Sequence, residues 1–280
     1  MIKLFEKIYM FESKTNILLY IKQNDCYLID SGKSEELAKQ VNDFIKEKHL
    51  TLKGIINTHC HSDHVSNNSI FNSNIYASDV ESIFIENYDF QLDILYGGKH
   101  PKFIEDTYLY TESFKTNDLI HLDEIEYIKL PGHSYNMIGV LIENKVLYIG
   151  DALFSEKELK GIPYLYDIEK FLKSIEKLKD YKDFKIISSH IGIVDDLDNI
   201  ININKNFVNE INNIIIECCK NEKSFDEIMS YICQKKNISL NNVNFLLIES
   251  TLKSFISYLI DNGLLEIIFS DNRVLYKSNK

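Results

Sequence analysis

The sequence predicts an α/β protein, and three observations predict it. Apolar runs of strand length flank a segment of helical period, giving strand, helix, strand over residues 16–56. Side chains with metal-ligand chemistry then recur where strands end, which is where sites collect in α/β folds. The composition is that of a folded chain, 45% hydrophobic and 26% charged, without low-complexity tracts or internal repeats. At 280 residues, one large domain or a large domain plus a small one is expected.

The elements follow in order. Ile2 to Phe11, Asn16 to Lys22 and Cys26 to Ile29 are apolar or alternating runs separated by turn-rich Glu12-Ser13-Lys14-Thr15 and Gln23-Asn24-Asp25, which predicts a meander of strands. Ser34 caps a helix whose Leu37, Val41, Phe44 and Ile45 recur at helical spacing. A buried strand from Leu52 to Ile56 delivers Thr58-His59-Cys60-His61-Ser62-Asp63-His64 at its carboxyl end. Ile75 to Ala77 is a short strand, and Ser78 caps a helix to Asn87. Residues 88–116 hold Tyr88, Phe90, Tyr96, Phe103, Tyr108, Tyr110 and Phe114 with Gly97-Gly98 and Pro101, too aromatic for disorder and too broken for one helix. Two readings stay open there: a lid over a pocket, or an insertion packed on the core surface.

Strands are expected at Leu119 to Leu122, Ile125 to Leu130, Met137 to Ile142 and Val146 to Ile149, then a helix from Asp167 to Tyr181 and a strand from Phe184 to Ser188. Beyond Lys205, three helices are expected at Asn206 to Cys219, Phe225 to Lys235 with Ser224 as cap, and Asn242 to Ile260. A hairpin of Leu264 to Phe269 with Val274 to Tyr276 closes the chain. This divides it into residues 1–204 and a smaller unit of residues 205–280.

His59, His61, Asp63 and His64 place four ligand-type side chains within six residues, and no packing argument needs that density of histidine. Pro131-Gly132-His133, Gly150-Asp151 and Ser189-His190 each follow a predicted strand. Taken singly, His133 would be a turn residue and Asp151 a turn cap. Their recurrence at strand ends argues for ligation instead. His49 near a helix end is a solvated or dipole-complementing residue, and His121 a structural residue in a strand. His100 and Tyr96, beside Gly97-Gly98, are candidates for a substrate pocket. Five cysteines form no CxxC pair, which fits a reducing compartment. Cys26 and Cys233 read as structural thiols, and the Cys60 side chain should point away from its ligand neighbours.

Acidic residues outnumber basic ones 42 to 31, for a net charge of -11, which disfavours nucleic acid and anionic membrane as partners of the whole molecule. The first residues are charged too early for a signal peptide, and no apolar run reaches the ~18 residues of a membrane span. A cytoplasmic protein with a small-molecule substrate is expected.

The set His59-x-His61-x-Asp63-His64, His133, Asp151 and His190, with Asp30 ending an earlier strand, resembles the ligand set of the metallo-β-lactamase-fold hydrolases over residues 1–200. That resemblance implies a four-layer αββα sandwich with the site along one edge. It implies two divalent ions, zinc first, although iron and manganese accept the same ligands. One ion would take His59, His61 and His133, the other Asp63, His64 and His190, with Asp151 bridging. A hydroxide shared by the ions would be the nucleophile, oriented by Asp63, while Asp30 holds a ligand histidine or loop through hydrogen bonds.

Departures within the family narrow the reaction. Flavodiiron proteins carry glutamate where His61 stands, and true β-lactamases generally lack the aspartate that Asp151 supplies. Glyoxalase II-like thioesterases share the whole set, but their glutathione-holding basic residues cannot be located here, and tRNase Z-type phosphodiesterases share it too. The helices and hairpin after Lys205 resemble a winged helix, as in the lactamase-β-like endoribonuclease branch. From Lys205 onward nine basic residues balance nine acidic ones, a poor instrument for phosphate neutralisation. That unit reads as a packing, dimerisation or substrate-wall element. The expected activity is hydrolysis of an ester, thioester or related acyl bond of a small metabolite, with a metal-dependent endoribonuclease as the alternative and a noncatalytic, metal-stabilised scaffold as the reading of another class.

Overall fold

The strand meander forms, but its first run is broken at Glu6-Lys7 into β1 (Ile2–Phe5) and β2 (Ile8–Phe11), which pair with β3 (Ile17–Lys22) and β4 (Asp25–Ile29) as antiparallel neighbours. These and the following elements are those of a computed structural model that describes residues 1–279. The amphipathic α1 (Glu35–Glu47) begins at Ser34, whose hydroxyl accepts from Leu37 N, and crosses to β5 (Thr51–Ile56), parallel to β4. After α2 (Ser62–Val65) and α3 (Asn68–Phe71), β6 (Asn74–Ala77) adds in parallel. Then come α4 (Asp79–Glu86), α5 (Tyr88–Tyr96) and β7 (Asn117–Asp118), which completes a seven-stranded sheet in sequence order.

The second sheet contains β8 (Ile125–Lys129), β9 (Ile138–Ile142), β10 (Val146–Tyr148), β11 (Lys185–Ser188) and β12 (Gly192–Ile193) in the order β12-β11-β10-β9-β8. The one parallel pair in it, β10 with β11, is joined by a crossover through α6 (Glu156–Leu159) and α7 (Ile168–Lys177). The chain ends with α8 (Leu197–Cys218), α9 (Phe225–Lys235), α10 (Asn244–Asp261) and the hairpin of β13 (Leu265–Ser270) with β14 (Arg273–Ser278).

Side-chain alternation sets the layers. On β3, Leu18 and Tyr20 pack between the sheets against Val140 and Tyr148, while Ile17 and Leu19 pack outward on Leu37 and Val41 of α1. On β10, Val146 and Tyr148 turn inward, and Leu147 joins Phe171 of α7, Ile211 of α8 and Phe255 of α10. Helix, sheet, sheet and helix therefore stack in four layers. Central strands have no wet face, which is why Ile17-Leu18-Leu19-Tyr20 is apolar without interruption. Each such side chain contributes about 1.5–3 kcal/mol by leaving water.

Several expectations are corrected. Leu119 to Leu122 forms no strand: Asn117–Asp118 pairs instead, and Ile120 is anchored through its carbonyl, which accepts from the Tyr127 hydroxyl at 2.8 Å. His121 in that segment has a side chain 92% exposed, so it is not a structural strand residue. His49 lies exposed just past α1 in left-handed backbone, φ +54°. The helix expected from Asn206 begins at Leu197, where Asp196 caps it by accepting from Asn199 N, so position 204/205 falls inside α8. Buried Asn204 binds Phe154 through both main-chain groups. By contrast α9 starts where Ser224 and Glu227 form a capping box.

Residues 88–116 form α5, a short 3-10 turn Lys102–Ile104 and an extended return. Tyr88, Leu92, Ile104 and Phe114 are buried against Cys60, Ile85 and Leu246 of α10. Among the described residues no helix is long and apolar enough to cross a membrane.

Candidate metal centre

The centre is assembled from loops at one edge of the sandwich, each aimed by a local constraint. Asp30 leaves β4 in left-handed backbone, φ +59°, a conformation aspartate tolerates. Its carboxylate thereby crosses to the histidine loop, accepting from Thr58 N at 2.7 Å, Thr58 Oγ1 at 2.8 Å and His64 Nδ1 at 2.7 Å. Gly132 precedes His133 at φ +132°, and a Cβ there would lie 2.3 Å from the Phe171 backbone, so only glycine lets α7 pack this close. Gly132 O in turn accepts from Tyr166 N and Asp167 N at the start of α7.

All seven predicted donors converge. His59, His61 and His133 form one group and Asp63, His64, Asp151 and His190 another, one ligand atom from each residue lying within 4.8 Å of the others in its group. Asp151 joins them. Its Oδ2 is 3.3 Å from His133 Nε2, 4.0 Å from His59 Nε2 and 3.2 Å from His190 Nε2, and its Oδ1 is 3.2 Å from His64 Nε2. Asp63 Oδ2 lies 3.4 Å from His190 Nε2 and 3.7 Å from His64 Nε2.

Hydrogen bonds assign the imidazole tautomers. Thr58 donates its hydroxyl to Asp30, so it can only accept from His59 Nδ1, at 3.0 Å. His64 Nδ1 donates to Asp30, His133 Nδ1 to Tyr164 O at 2.8 Å and His190 Nδ1 to Lys14 O at 2.7 Å. Four rings thus turn Nε2 toward the centre, while His61 turns Nδ1 inward, 2.8 Å from His133 Nε2.

Electrostatics divide the cluster. Burial and the neighbouring histidines hold His59 well below its usual range, and burial with His133 takes His61 down to about 3. Burial opposes a charge on His64 and His190, but the surrounding carboxylates together outweigh it, Asp151, Asp30 and Asp63 raising His64 strongly and Asp151 with Asp63 raising His190 to about 10. Asp151 is held well below the carboxylate range because His190 and His64 overcome its burial. The residues fit divalent cations: among the described residues His59 Nε2 and His64 Nε2 are buried with no hydrogen-bond partner, and five imidazoles with two carboxylates are the donor set such ions take.

Four further residues act here that sequence reasoning passed over. Buried Glu81 stitches the histidine loop to the His133 loop, accepting from Cys60 N at 3.0 Å, Ser134 Oγ at 2.7 Å and Asn136 N at 2.7 Å. Its signal, Ser78-x-x-Glu81, spells a capping box, yet the Ser78 hydroxyl donates to Asn136 O instead. Thr15 donates to Asp63 Oδ2 at 2.9 Å, and Lys14 O receives His190, so the turn before β3 is part of the centre. Ser189 donates its hydroxyl to Asp151. The cysteines are free and buried, and Cys60 joins neither donor group, its thiol pushed up by burial and Glu81.

A cavity of about 360 Å³ opens over the donors, lined by His61, Asp63, His133, Asp151 and His190 and walled by the 88–116 insertion and α10. His100 and Tyr96 do not line it. His100 is buried with Nδ1 2.5 Å from Asp93 Oδ1 and Nε2 3.5 Å from Glu105, and Tyr96 faces solvent. The insertion supplies the wall through Tyr88, Gln91, Leu92 and Tyr108 instead.

A family model described as the metallo-beta-lactamase superfamily matches residues 11–190, which contain Asp30 and all seven donors. A protein named probable metallo-hydrolase from Methanocaldococcus jannaschii is 34% identical over 145 residues, 50% of this chain and 57% of its own length. A hydroxyacylglutathione hydrolase from Prochlorococcus marinus is 27% identical over 179 residues, 62% of this chain and 63% of its own. The chain thus spans less than two thirds of these curated relatives. A metallo-beta-lactamase family protein of known structure from Thermus thermophilus superposes with a TM-score of 0.75 at 16% identity, covering 99% of this chain and 100% of that one. A beta-lactamase domain protein from Burkholderia ambifaria does so at 0.72 and 14%, covering 99% and 93%. At these identities the structural likeness is one of fold, and it extends through α8 to β14. With the family model covering most of the chain and every donor in place, the chain belongs to the metallo-beta-lactamase superfamily.

Proposed function

We propose that the protein is a metal-dependent hydrolase of an ester, thioester or related acyl bond in a small metabolite. The observation that carries this is the pair of donor groups joined through Asp151 on the floor of a cavity of about 360 Å³. The name of the Prochlorococcus relative, hydroxyacylglutathione hydrolase, supports the acyl reading. His59, His61 and His133 would hold one ion, Asp63, His64 and His190 the other, with Asp151 between them and zinc the best match to the donors. Divalent cations in these positions supply an acidified water and a positive charge where an oxyanion develops.

The chain's own residues do the rest. Asp30, Thr58, Tyr164 O and Lys14 O each take an Nδ1 proton and so aim an Nε2 lone pair at the centre. Asp63 faces the cavity, and His64 and His190 keep its carboxylate ionised although burial opposes this. It orients an attacking water and accepts its proton. The apolar wall keeps bulk water away from the acyl group.

Zinc-reconstituted protein assayed on esters and thioesters should turn over at least one class, and Asp63→Ala should lower kcat by about 10²–10⁴-fold. Cleavage of RNA that is lost in Asp63→Ala, with no acyl substrate turned over, would move the reading to a metal-dependent endoribonuclease. Tight partner binding with no turnover of any kind would mark a scaffold.

A further inference from the structure

We infer, resting on the hydrolase reading, that the substrate is an uncharged ester or thioester whose apolar acyl group lies between α5 and α10. The floor of the cavity is polar and charged, whereas its far side is mostly apolar. Phe84, Tyr88, Leu92 and Leu95 stand on one side, and Leu247 and Ile248 of α10 on the other. Among the described residues no lysine or arginine lines the cavity, while Asp63, Asp151 and Glu158 do.

Lys33 lies close enough to Asp63 to feel its charge, yet its ammonium is taken by the insertion, donating to Tyr108 O at 2.6 Å and Tyr110 O at 2.9 Å. The single arginine, Arg273, sits on β14. Positive charge brought by bound cations is confined to the floor, so a glutathionyl carboxylate or a nucleotide phosphate on the far side would be desolvated without a counter-charge. An aliphatic or aryl group there loses only water. The polar offering on that side is neutral: Gln91 and Asn244 line the cavity, and among the described residues Gln91 Oε1 is buried with no hydrogen-bond partner, free to accept an N–H or O–H. A volume of about 360 Å³ is near the lower end of ligand pockets, roughly 300–1,000 Å³, and suits a medium-length chain or one aryl ring.

The test compares p-nitrophenyl acetate, butyrate, hexanoate and octanoate with octanoyl-glutathione on the zinc-loaded full chain. Thermal shifts with octanamide and with glutathione are measured alongside. Expected are a rise in kcat/KM of about three- to four-fold per methylene, the transfer value for a buried CH₂, a neutral ester preferred over the glutathione thioester, and a melting shift with octanamide alone. Leu247→Lys and, from the opposite wall, Leu95→Lys should each collapse the octanoyl-to-acetyl ratio toward one, while Leu247→Met preserves it. A flat chain-length series, or preference for the glutathione thioester, overturns the inference and leaves the hydrolase reading standing. No turnover of any ester or thioester overturns the hydrolase reading and the inference that rests on it, and an octanamide shift that survives Leu247→Lys overturns the placement of the apolar group against α10.

Discussion

Asp30 aims His64 directly and, through Thr58, His59, one histidine of each donor group. It is fully buried and accepts three hydrogen bonds, two from Thr58 and one from His64. In Asp30→Asn the left-handed backbone is kept, but an amide N–H replaces one acceptor, so either Thr58 or the His64 Nδ1–H loses its partner. Titration calorimetry with zinc should show the site containing His64 weakened about 10–100-fold. Glu81 offers a stability counterpart. Glu81→Ala strands three donors on two loops, and at about 1–3 kcal/mol per buried unsatisfied group the urea midpoint should fall by the equivalent of 3 kcal/mol or more. Asp30 was readable because an aspartate ending a strand before Gly32 belongs to a recurring pattern. Glu81 and Thr15 were not, because their roles depend on which loops meet, and Ser78-x-x-Glu81 carries a commoner local meaning.

At the scale of elements, α10 reaches the centre without touching it. Thr251 accepts from Leu165 N at 3.0 Å and donates to Pro163 O at 3.3 Å, and Ser254 donates to Tyr166 O at 2.7 Å. The segment so held carries Tyr164, whose carbonyl fixes His133. Thr251→Val, nearly isosteric, should cost about 1–3 kcal/mol by leaving Leu165 N unpaired, and should also weaken zinc binding at the His133 group more than at the His64 group. A calorimetric loss of stability with both affinities intact would refute this coupling. The elements themselves were unevenly legible. Ser224 and Glu227 announced α9 because a capping box is written in four residues. Leu197 did not announce α8, since Asp195-Asp196-Leu197-Asp198-Asn199 has the composition of a turn. Leu119 to Leu122 has strand composition, but pairing with β6 is taken by Asn117–Asp118 and β8 pairs with β9.

For the whole molecule, the four-layer stacking could not be read from periodicity, because strands buried on both faces lose the alternation that marks a sheet surface. The order of ligand motifs carried that information instead. The shared core has a consequence for dissection. Ile211, Phe255 and Leu259 pack with Leu147 and Phe171, so a chain cut after residue 204 exposes the outer face of the second sheet and should be insoluble or lack cooperative unfolding. Stability should likewise depend on metal. Chelation is expected to lower the melting temperature by removing about 2.7 kcal/mol for each ion supplied at 100 times its Kd, checked by scanning with and without a chelator. Ions held by the two donor groups should not leave together. Asp63 and His190 have side chains 35% and 20% exposed, whereas His59 and His133 are at 0% and 5%. His61 of the first group is half-buried and lines the cavity, and His64 and Asp151 of the second are buried, so the groups differ in degree: two of four donors reach solvent in the second and one of three in the first. Ions held there would be released at unequal rates, and metal content under a competing chelator should decay in two phases. Substituting His190 should speed the first phase and leave the second unchanged.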